Sequence, residues 1–421
     1  MVRYIKNIYH FLQAVLANII YGFPSRGMTI IGVTGTDGKT TTASLIYQVL
    51  VHSGQKAALI SSVGAMINDK ASDIGFHVTT PGRFAIQSYL KRSKKAGVKY
   101  VVLEVTSHAL DQHRVAGVHF DIGVITNITK EHLDYHKTFE KYVKAKAKLL
   151  KHAKVAILNK DDASYLKLKK NHFKNKEKKI ITYGFKRDSD VNPHVFPFKT
   201  KLIGRFNEYN CLAAIAVLRQ LHISDENIRA GIISFKAPAG RQDVVYNKDF
   251  MVVNDFAHTP NSFANIVLEA KKLAKNRLIH VFGSAGQRDK YKRPEMGKIS
   301  SEYADVIILT AEDPRDEATD KISSEILSGI SDAKFKISPT SPRLQGTSSF
   351  QENKGLERGK KYLFQIPDRK EAVEFAIGLA EKGDVVLLTG KGHEKSMNYG
   401  KGEEPWNESE VAREAIKKLR S

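Results

Sequence analysis

A single cysteine, Cys211, in 421 residues excludes an intrachain disulfide and any multi-cysteine zinc site within one chain, and a lone thiol fits a reducing cytosol. Acid is scarce relative to base: 45 Asp and Glu stand against 67 Lys and Arg, a formal net charge of +22. An anionic partner (nucleotide, phosphorylated metabolite, nucleic acid or acidic membrane surface) suits that balance, and charge alone does not choose among them. Long apolar runs are missing too. The uncharged stretch from Phe11 to Pro24 falls short of the ~20 residues a spanning helix needs, and no small-x-small cleavage signature closes it. The first 22 residues are expected to form an amphipathic helix packed on the body of the protein. Membrane-surface contact through residues 4–22 is the less favoured reading. Internal repeats are absent. What remains, 42% apolar and 27% charged, is an ordinary globular composition with room for two or three domains at about 100–200 residues each, and it excludes disorder and collagen.

Short β-branched runs alternate with longer helical ones. Thr29–Val33, Ala57–Ser61, Tyr100–Val105, Gly123–Thr126 and Val155–Leu158 read as strands, an α/β organisation with a mainly parallel sheet. A second set, Met251–Val253, Leu278–Phe282, Val306–Thr310 and Val385–Thr389, follows Pro238-Ala239-Gly240-Arg241. The expected organisation is an N-terminal helix and linker over 1–27, a P-loop-type domain over 28–238 and a Rossmann-like domain over 239–421. Lys141 to Ile180 holds 14 Lys against three acids and reads as a solvated surface, because aromatic residues for base stacking are sparse in it. Ser338 to Arg358, rich in Ser, Gly, Pro and Gln, reads as a loop or insertion.

The residues with chemistry sit where strands end. Ile30-Ile31-Gly32-Val33 runs into Thr34-Gly35-Thr36-Asp37-Gly38-Lys39-Thr40-Thr41 and then a helical stretch. Glycines there let backbone N–H groups close on phosphate oxygens, Lys39 supplies charge for the β and γ oxygens, and Thr40 offers a hydroxyl to Mg²⁺. The usual G-x-x-x-x-G-K-[ST] spacing puts a glycine where Val33 stands; this loop has Gly35 instead. Glu104 closes another strand, where open α/β sheets gather ligands, and is a candidate metal ligand. His132 lies in a polar cluster after the strand ending at Thr126.

In family order, the chain carries GVTGTDGKTTT at 32–42, LEVTSHALDQHRVAGVHFD at 103–121, TNITKEHLDYH at 126–136, YVKAKAKLL at 142–150, GRFNEYNCLAA at 204–214, GRQDVV at 240–245, NDFAHTPNS at 254–262, FGSAGQRDKYKRPEMG at 282–297, EDPRDE at 312–317 and GKGHE at 390–394. With these it resembles the Mur ligases, ATP-dependent amide-forming enzymes of peptidoglycan precursor synthesis. EVTSHALDQHRV, HLDYH and GKGHE resemble the MurE type, which extends UDP-N-acetylmuramoyl-L-alanyl-D-glutamate by one amino acid. The resemblance implies ATP and Mg²⁺, catalysis by Lys39, Glu104, His132 and Lys146, and metal ligation by Thr40, Glu104, His132 and a carbamylated Lys146. It assigns Lys146 through Tyr142 four residues before it, with Lys144 and Lys148 as near competitors. Gly35, Thr36, Asp37, Gly38, Lys39, Thr40 and Thr41 would hold phosphates, with Asn207 and Asn210 near adenine. Arg241, Asp255 and His258 would contribute from the second domain when it closes. Phe256 replaces the tyrosine usual in its motif.

Thr79, Thr80, Ser107 and Arg114 match positions that hold the sugar-peptide in the family. Asp313, Arg315, Gly390 and Glu394 match those for the incoming amino acid, where an arginine fork on a distal carboxylate favours meso-diaminopimelate over lysine or another diamino acid. Asp313 stands where such members carry asparagine and puts a negative charge beside that fork. Members of this type normally begin with a further domain for the UDP end, so the uridine site is expected to be absent or rebuilt. The expected partners are small molecules, without nucleic acid, in the cytoplasm, and the oligomeric state is open. Two other readings remain: a related amide ligase of folylpolyglutamate or cyanophycin type with a different acceptor, and a basic P-loop nucleotide switch or nucleic-acid-binding protein.

Overall fold

The computed structural model describes residues 2–72, 75, 79–172, 178–331, 335–338, 356–357 and 359–420. Most of the stretch from Ser338 to Arg358, read as a loop, lies outside the described residues, as does the middle of the polar segment Lys167–Lys179. The chain divides into two compact units, Met1–Ala237 and Pro238–Ser421.

The first unit runs α1 (Val2–Tyr21), β1 (Thr29–Thr34), α2 (Lys39–His52), β2 (Ala57–Ser61), β3 (Gly64–Ile67), β4 (Lys70–Ser72), α3 (Arg83–Lys95), β5 (Tyr100–Glu104), α4 (Ser107–Asp111), β6 (Ile122–Ile125), α5 (Leu133–His136), α6 (Phe139–His152), β7 (Val155–Asn159), α7 (Ser164–His172), β8 (Lys179–Tyr183), α8 (Arg205–Gln220) and α9 (Asp225–Ser234). Its sheet has the order β4-β3-β2-β5-β1-β6-β7-β8, parallel except at the β2–β3 and β3–β4 pairings. β1 and β5 are buried almost throughout, as near-continuous apolar runs become when helices cover both faces of a parallel sheet. Each fully buried Ile, Val or Leu there contributes about 1.5–3 kcal/mol. On one face β1 packs with α2 and α8 through Ile31, Val33, Leu45 and Leu212. On the other, Ile30, Val101 and Leu103 meet Ile86 and Leu90 of α3.

The second unit runs β9 (Asp243–Asn247), β10 (Met251–Asp255), α10 (Pro260–Leu273), β11 (Leu278–Phe282), α11 (Lys292–Tyr303), β12 (Val306–Leu309), α12 (Thr319–Leu327), β13 (Phe335–Ser338), β14 (Lys361–Gln365), α13 (Arg369–Leu379), β15 (Val385–Thr389), β16 (Ser396–Asn398), β17 (Glu403–Pro405) and α14 (Glu408–Arg420). Its main sheet has the order β13-β14-β12-β11-β15-β10-β9, parallel except for β9 against β10. α10 opens with a reciprocal Thr259–Ser262 capping box and Pro260 in its first turn, a strong local start signal.

The strands read from sequence are all present, with ends shifted by at most one residue except at β10, which runs on to Asp255. β3, β4, β8, β9, β13, β14, β16 and β17 were not legible as strands; all but the five-residue internal β14 are short or at sheet edges. The N-terminal helix does form and packs against α3. The expected orientation is reversed, however: it seats small residues inward and leaves its bulky apolar side chains exposed.

Candidate active site

β1 delivers the chain into the glycine loop, and the register explains why glycine is not needed at Val33. That residue is a buried strand position paired with Glu104 in β5, still inside the sheet. The close approach comes two residues later. A Cβ on Gly35 would lie 1.7 Å from Thr126 Oγ1, and Gly38, at φ +78°, would put one 2.2 Å from Asn210 Oδ1. Gly38 caps α2 without a side chain and the first turn of α2 has no acid, so the helix opens with its dipole unopposed toward an anion.

The loop is held from the segment after β6. Thr36 N donates to Asn127 O at 2.9 Å, Asp37 N to Asn127 Oδ1 at 2.9 Å, and Thr126 Oγ1 to Asp37 O at 2.6 Å. Thr36 Oγ1 accepts from Thr129 N at 3.0 Å and lies 3.1 Å from the Tyr142 hydroxyl. Asn210 Oδ1 accepts from Thr42 Oγ1 at 3.2 Å, and its amide donates to Asn207 Oδ1 at 2.9 Å, so both asparagines sit against the start of α2. Lys39 folds back to donate to Thr36 O at 2.8 Å. Thr41 lies buried one residue beyond Thr40 in the first turn.

Glu104 is buried at the end of β5 and accepts from Thr40 Oγ1 at 3.1 Å, from Ser62 N at 3.1 Å and from Ser62 Oγ at 3.0 Å. This donor set of carboxylate and hydroxyl oxygens suits a hard cation. Among the described residues no group of three or more His, Cys, Asp and Glu is placed to hold a metal. An ion here would therefore be held as Mg²⁺ commonly is, by a carboxylate, a hydroxyl and substrate phosphates. Thr40 and Glu104 fit that group.

Of the three competing lysines on α6, only Lys146 is buried; Lys144 is exposed and Lys148 is paired with Asp111 at 3.2 Å. Lys146 Nζ donates to Gly35 O and lies 4.6 Å from the centre of the Tyr142 ring. Burial, and then the positive charge of Lys39, hold its ammonium form well below the usual lysine range. His132 turns into α5 at φ 53°, and desolvation pushes its imidazole down to about 4 against the opposing charge of Glu131, 3.6 Å away. Its ring stands 4.8 Å from that of His108 and 6.2 Å from Tyr142.

The sugar-peptide candidates gather on the other side of Glu104. Thr80 Oγ1 donates to Glu104 O at 3.1 Å and accepts from Thr106 N at 3.0 Å, beside half-buried Thr79. Arg114 reaches Thr80 O at 2.9 Å, and Ser107 Oγ lies 3.0 Å from His136 Nε2. Ser62, His108 and His136 escaped the sequence reading, and Tyr142 entered it only as the marker for Lys146. Ser62 had a usable signal, being the first residue beyond a predicted parallel strand.

In the second unit Asp255 closes β10 and accepts from Gln242 N and Ala257 N, both at 2.8 Å. Burial raises its carboxyl, opposed by Arg241 and those amides. Arg241 stacks 4.5 Å over Phe256, whose ring also meets His258 at 4.8 Å and His393 at 4.7 Å. Phe256 is thus a stacking platform that does not depend on the missing hydroxyl. Asp313 is not the unbalanced charge that sequence reading gave it. Buried Lys391 donates to it at 2.9 Å and to Glu394 at 2.7 Å, and Asn398 N adds 3.0 Å. Arg315, at φ 53°, is anchored through Nη1 to Gly286 O and lies half-buried beside that pair. Gly390 leaves room for Glu312, whose carboxyl burial pushes up to about 7.

The Mur ligase middle domain matches residues 33–218, and the Mur ligase glutamate ligase domain matches residues 240–392. UDP-N-acetylmuramoyl-L-alanyl-D-glutamate--2,6-diaminopimelate ligase of Aquifex aeolicus is 36% identical over 418 residues, 95% of this chain and 80% of that protein. A solved structure of a ligase of that same name aligns with a TM-score of 0.61 at 28% identity over 94% of this chain and 80% of its own. Folylpolyglutamate synthase of Mycobacterium tuberculosis, solved with ADP and AMPPCP, has the same fold, with a TM-score of 0.66 at 14% identity over 91% of this chain and 96% of its own. With both domain matches in order and this identity along nearly its whole length, the chain belongs to the Mur ligase family.

Proposed function

We propose that this chain uses ATP to join meso-diaminopimelate, in preference to lysine, to the free carboxylate of UDP-N-acetylmuramoyl-L-alanyl-D-glutamate. The observation that carries the reading is the convergence of Lys39, Thr40, Glu104 and Lys146 on one glycine loop in a chain of this family. In the reaction the acceptor carboxylate oxygen attacks the γ-phosphorus and ADP leaves. The amine nitrogen then attacks the acyl phosphate carbonyl, inorganic phosphate departs, and the amine gives up its proton.

Two anions must be brought together, which calls for concentrated positive charge. Lys39 would leave Thr36 O for the β and γ oxygens, while the first N–H groups of α2 face the phosphates. Thr40 and Glu104 would hold Mg²⁺, which when bound neutralises phosphate charge and lines up the transferred group. Burial favours the neutral amine of Lys146, the form that would add carbon dioxide, and its carbamate with His132 would serve a second ion. Thr79, Thr80, Ser107 and Arg114 would hold the peptide end of the acceptor. Arg315 would offer the rest of its fork to a distal carboxylate, and Lys391, shared between Asp313 and Glu394, offsets part of the negative charge beside it.

The test is phosphate release from ATP with the dipeptide acceptor and meso-diaminopimelate, L-lysine or no amino acid, with products weighed by mass spectrometry. Diaminopimelate-dependent release with a tripeptide product is expected. An equal or larger response to lysine would remove the amino-acid assignment, and no amide product with either would remove the acceptor. In the same assay Lys146→Ala should lose at least ~10²-fold in rate, with partial recovery on adding small carboxylates. Absence of any recovery would argue against the carbamate.

A further inference from the structure

α1 is seated the opposite way from a helix held by its own apolar side chains. Ala14, Ala17 and Asn18 face the body at 1%, 0% and 1% exposure, whereas Leu12, Leu16, Ile19 and Ile20 are 59%, 51%, 59% and 56% exposed. Bulky apolar side chains in open water cost roughly 25 cal/mol per Å², so a contiguous row of them marks a contact surface. The orientation is locked. Asn18 Nδ2 donates to Ala14 O at 2.7 Å and across to Ala116 O at 2.9 Å. Gly117, at φ +82°, lets the Asn18 carboxamide come within 2.4 Å of the place a Cβ would take. Lys91 of α3 lies 5.6 Å from the centre of the Tyr21 ring and ties the end of α1 to its neighbour.

Charge identifies what covers this face. Residues 1–36 contain no Asp or Glu, and neither do residues 79–103, which include the whole of α3. Lys6, Arg26, Lys91, Arg92, Lys94 and Lys95 are all exposed on these two segments. A second copy of the chain would set the same cationic patch against itself, because a two-fold contact pairs like with like. An anionic phospholipid surface satisfies both features, taking the apolar row at the acyl boundary and the lysines and arginines at the headgroups. No described helix is long and apolar enough to cross a membrane, so the contact is a surface one. We propose that the outer face of α1, with the basic residues of α3, docks this protein on anionic phospholipid bilayers. The inference does not depend on the ligase reading.

Co-sedimentation of the full chain with vesicles of phosphatidylcholine alone, and of phosphatidylcholine with phosphatidylglycerol, tests it. Binding to the phosphatidylglycerol vesicles should exceed binding to the neutral ones about tenfold and weaken with salt. Leu16→Glu with Ile19→Glu, both on the exposed side, should lose binding about tenfold with an unchanged unfolding midpoint. Lys94→Glu with Lys95→Glu should lose it several-fold, and this second variant keeps the test open should the first not fold. Equal binding to both vesicle types, or undiminished binding by the variants, would overturn the proposal. So would a wild-type dimer in solution that Leu16→Glu with Ile19→Glu dissolves, since that assigns the face to a second copy.

Discussion

The two units place ionisable side chains at the carboxyl ends of their parallel strands in the same way, yet they balance them differently. In the first, neither Lys39 nor Lys146 has a carboxylate within ion-pair distance among the described residues; both donate to backbone carbonyls of the loop. In the second, buried cations are matched internally. Arg369 meets Glu408 with 2.7 and 2.9 Å hydrogen bonds, Arg293 meets Glu317 and Glu325, and Lys391 meets Asp313 and Glu394. A buried charge must be paired or it costs several kcal/mol, so the paired set is architecture. Lys39, held by a carbonyl and not by a carboxylate, suits an anionic phosphate chain, whereas burial favours the neutral amine of Lys146.

That contrast can be broken at its paired end first. Glu408→Ala should destabilise the second unit by about 3–5 kcal/mol, because it leaves the Arg369 guanidinium buried and uncompensated. Arg369 also donates to Ala311 O and Thr389 O, so the loops carrying Asp313 and Gly390 should loosen with it. Urea unfolding checks this, and a change under about 1 kcal/mol would mean the pair is not structural. Lys39→Ala should do the reverse. Amide formation should fall ~10²–10³-fold while the unfolding midpoint stays within experimental scatter. A comparable loss of stability would place Lys39 among the architectural charges.

Arg315→Ala sharpens the comparison within the second unit, since among the described residues its guanidinium is held by a backbone carbonyl, Gly286 O, and not by a carboxylate. Preference for diaminopimelate over lysine should shrink about tenfold or more, with ATP binding unchanged. Unaltered preference would take Arg315 out of recognition. At neutral pH the smallest effect is expected at His280, fully buried between Ser300 Oγ at 2.9 Å and Thr389 Oγ1 at 3.0 Å. Burial lowers its pKa to about 3 from the ordinary 6.5. The unfolded chain therefore takes up a proton first as pH falls. The stability His280 leaves intact above about 6.5 is lost on acidification toward 3, at up to about 1.4 kcal/mol per unit. His280→Asn should flatten the dependence of unfolding free energy on pH in that window, and an unchanged slope would contradict it.

The glycine loop and Glu104 were legible because their signals are local. A buried strand, a turn that tolerates left-handed backbone and a helix start lie in a dozen consecutive residues, and a strand's end is visible in its own pattern. The counter-charge of Asp313 was not legible because Lys391 is 78 residues away and no periodicity connects them. Lys144, Lys146 and Lys148 looked alike because helical spacing alone does not say which side faces a core; burial does. Ser62 was missed because it becomes a partner of Glu104 only when β2 pairs with β5.

Fold class, the phosphate loop and most strands followed from short-range pattern, since backbone geometry and apolar periodicity are properties of neighbouring residues; the family followed from the resemblance its motifs carry. Charge compensation in the second unit, the burial of Lys146 and the outward apolar face of α1 came from packing. Each depends on which distant side chain reaches a given point in space. Asn18 shows the difference most simply: nothing around it in the chain announces a lock, and it becomes one because Ala116 and Gly117 arrive there from the far end of α4.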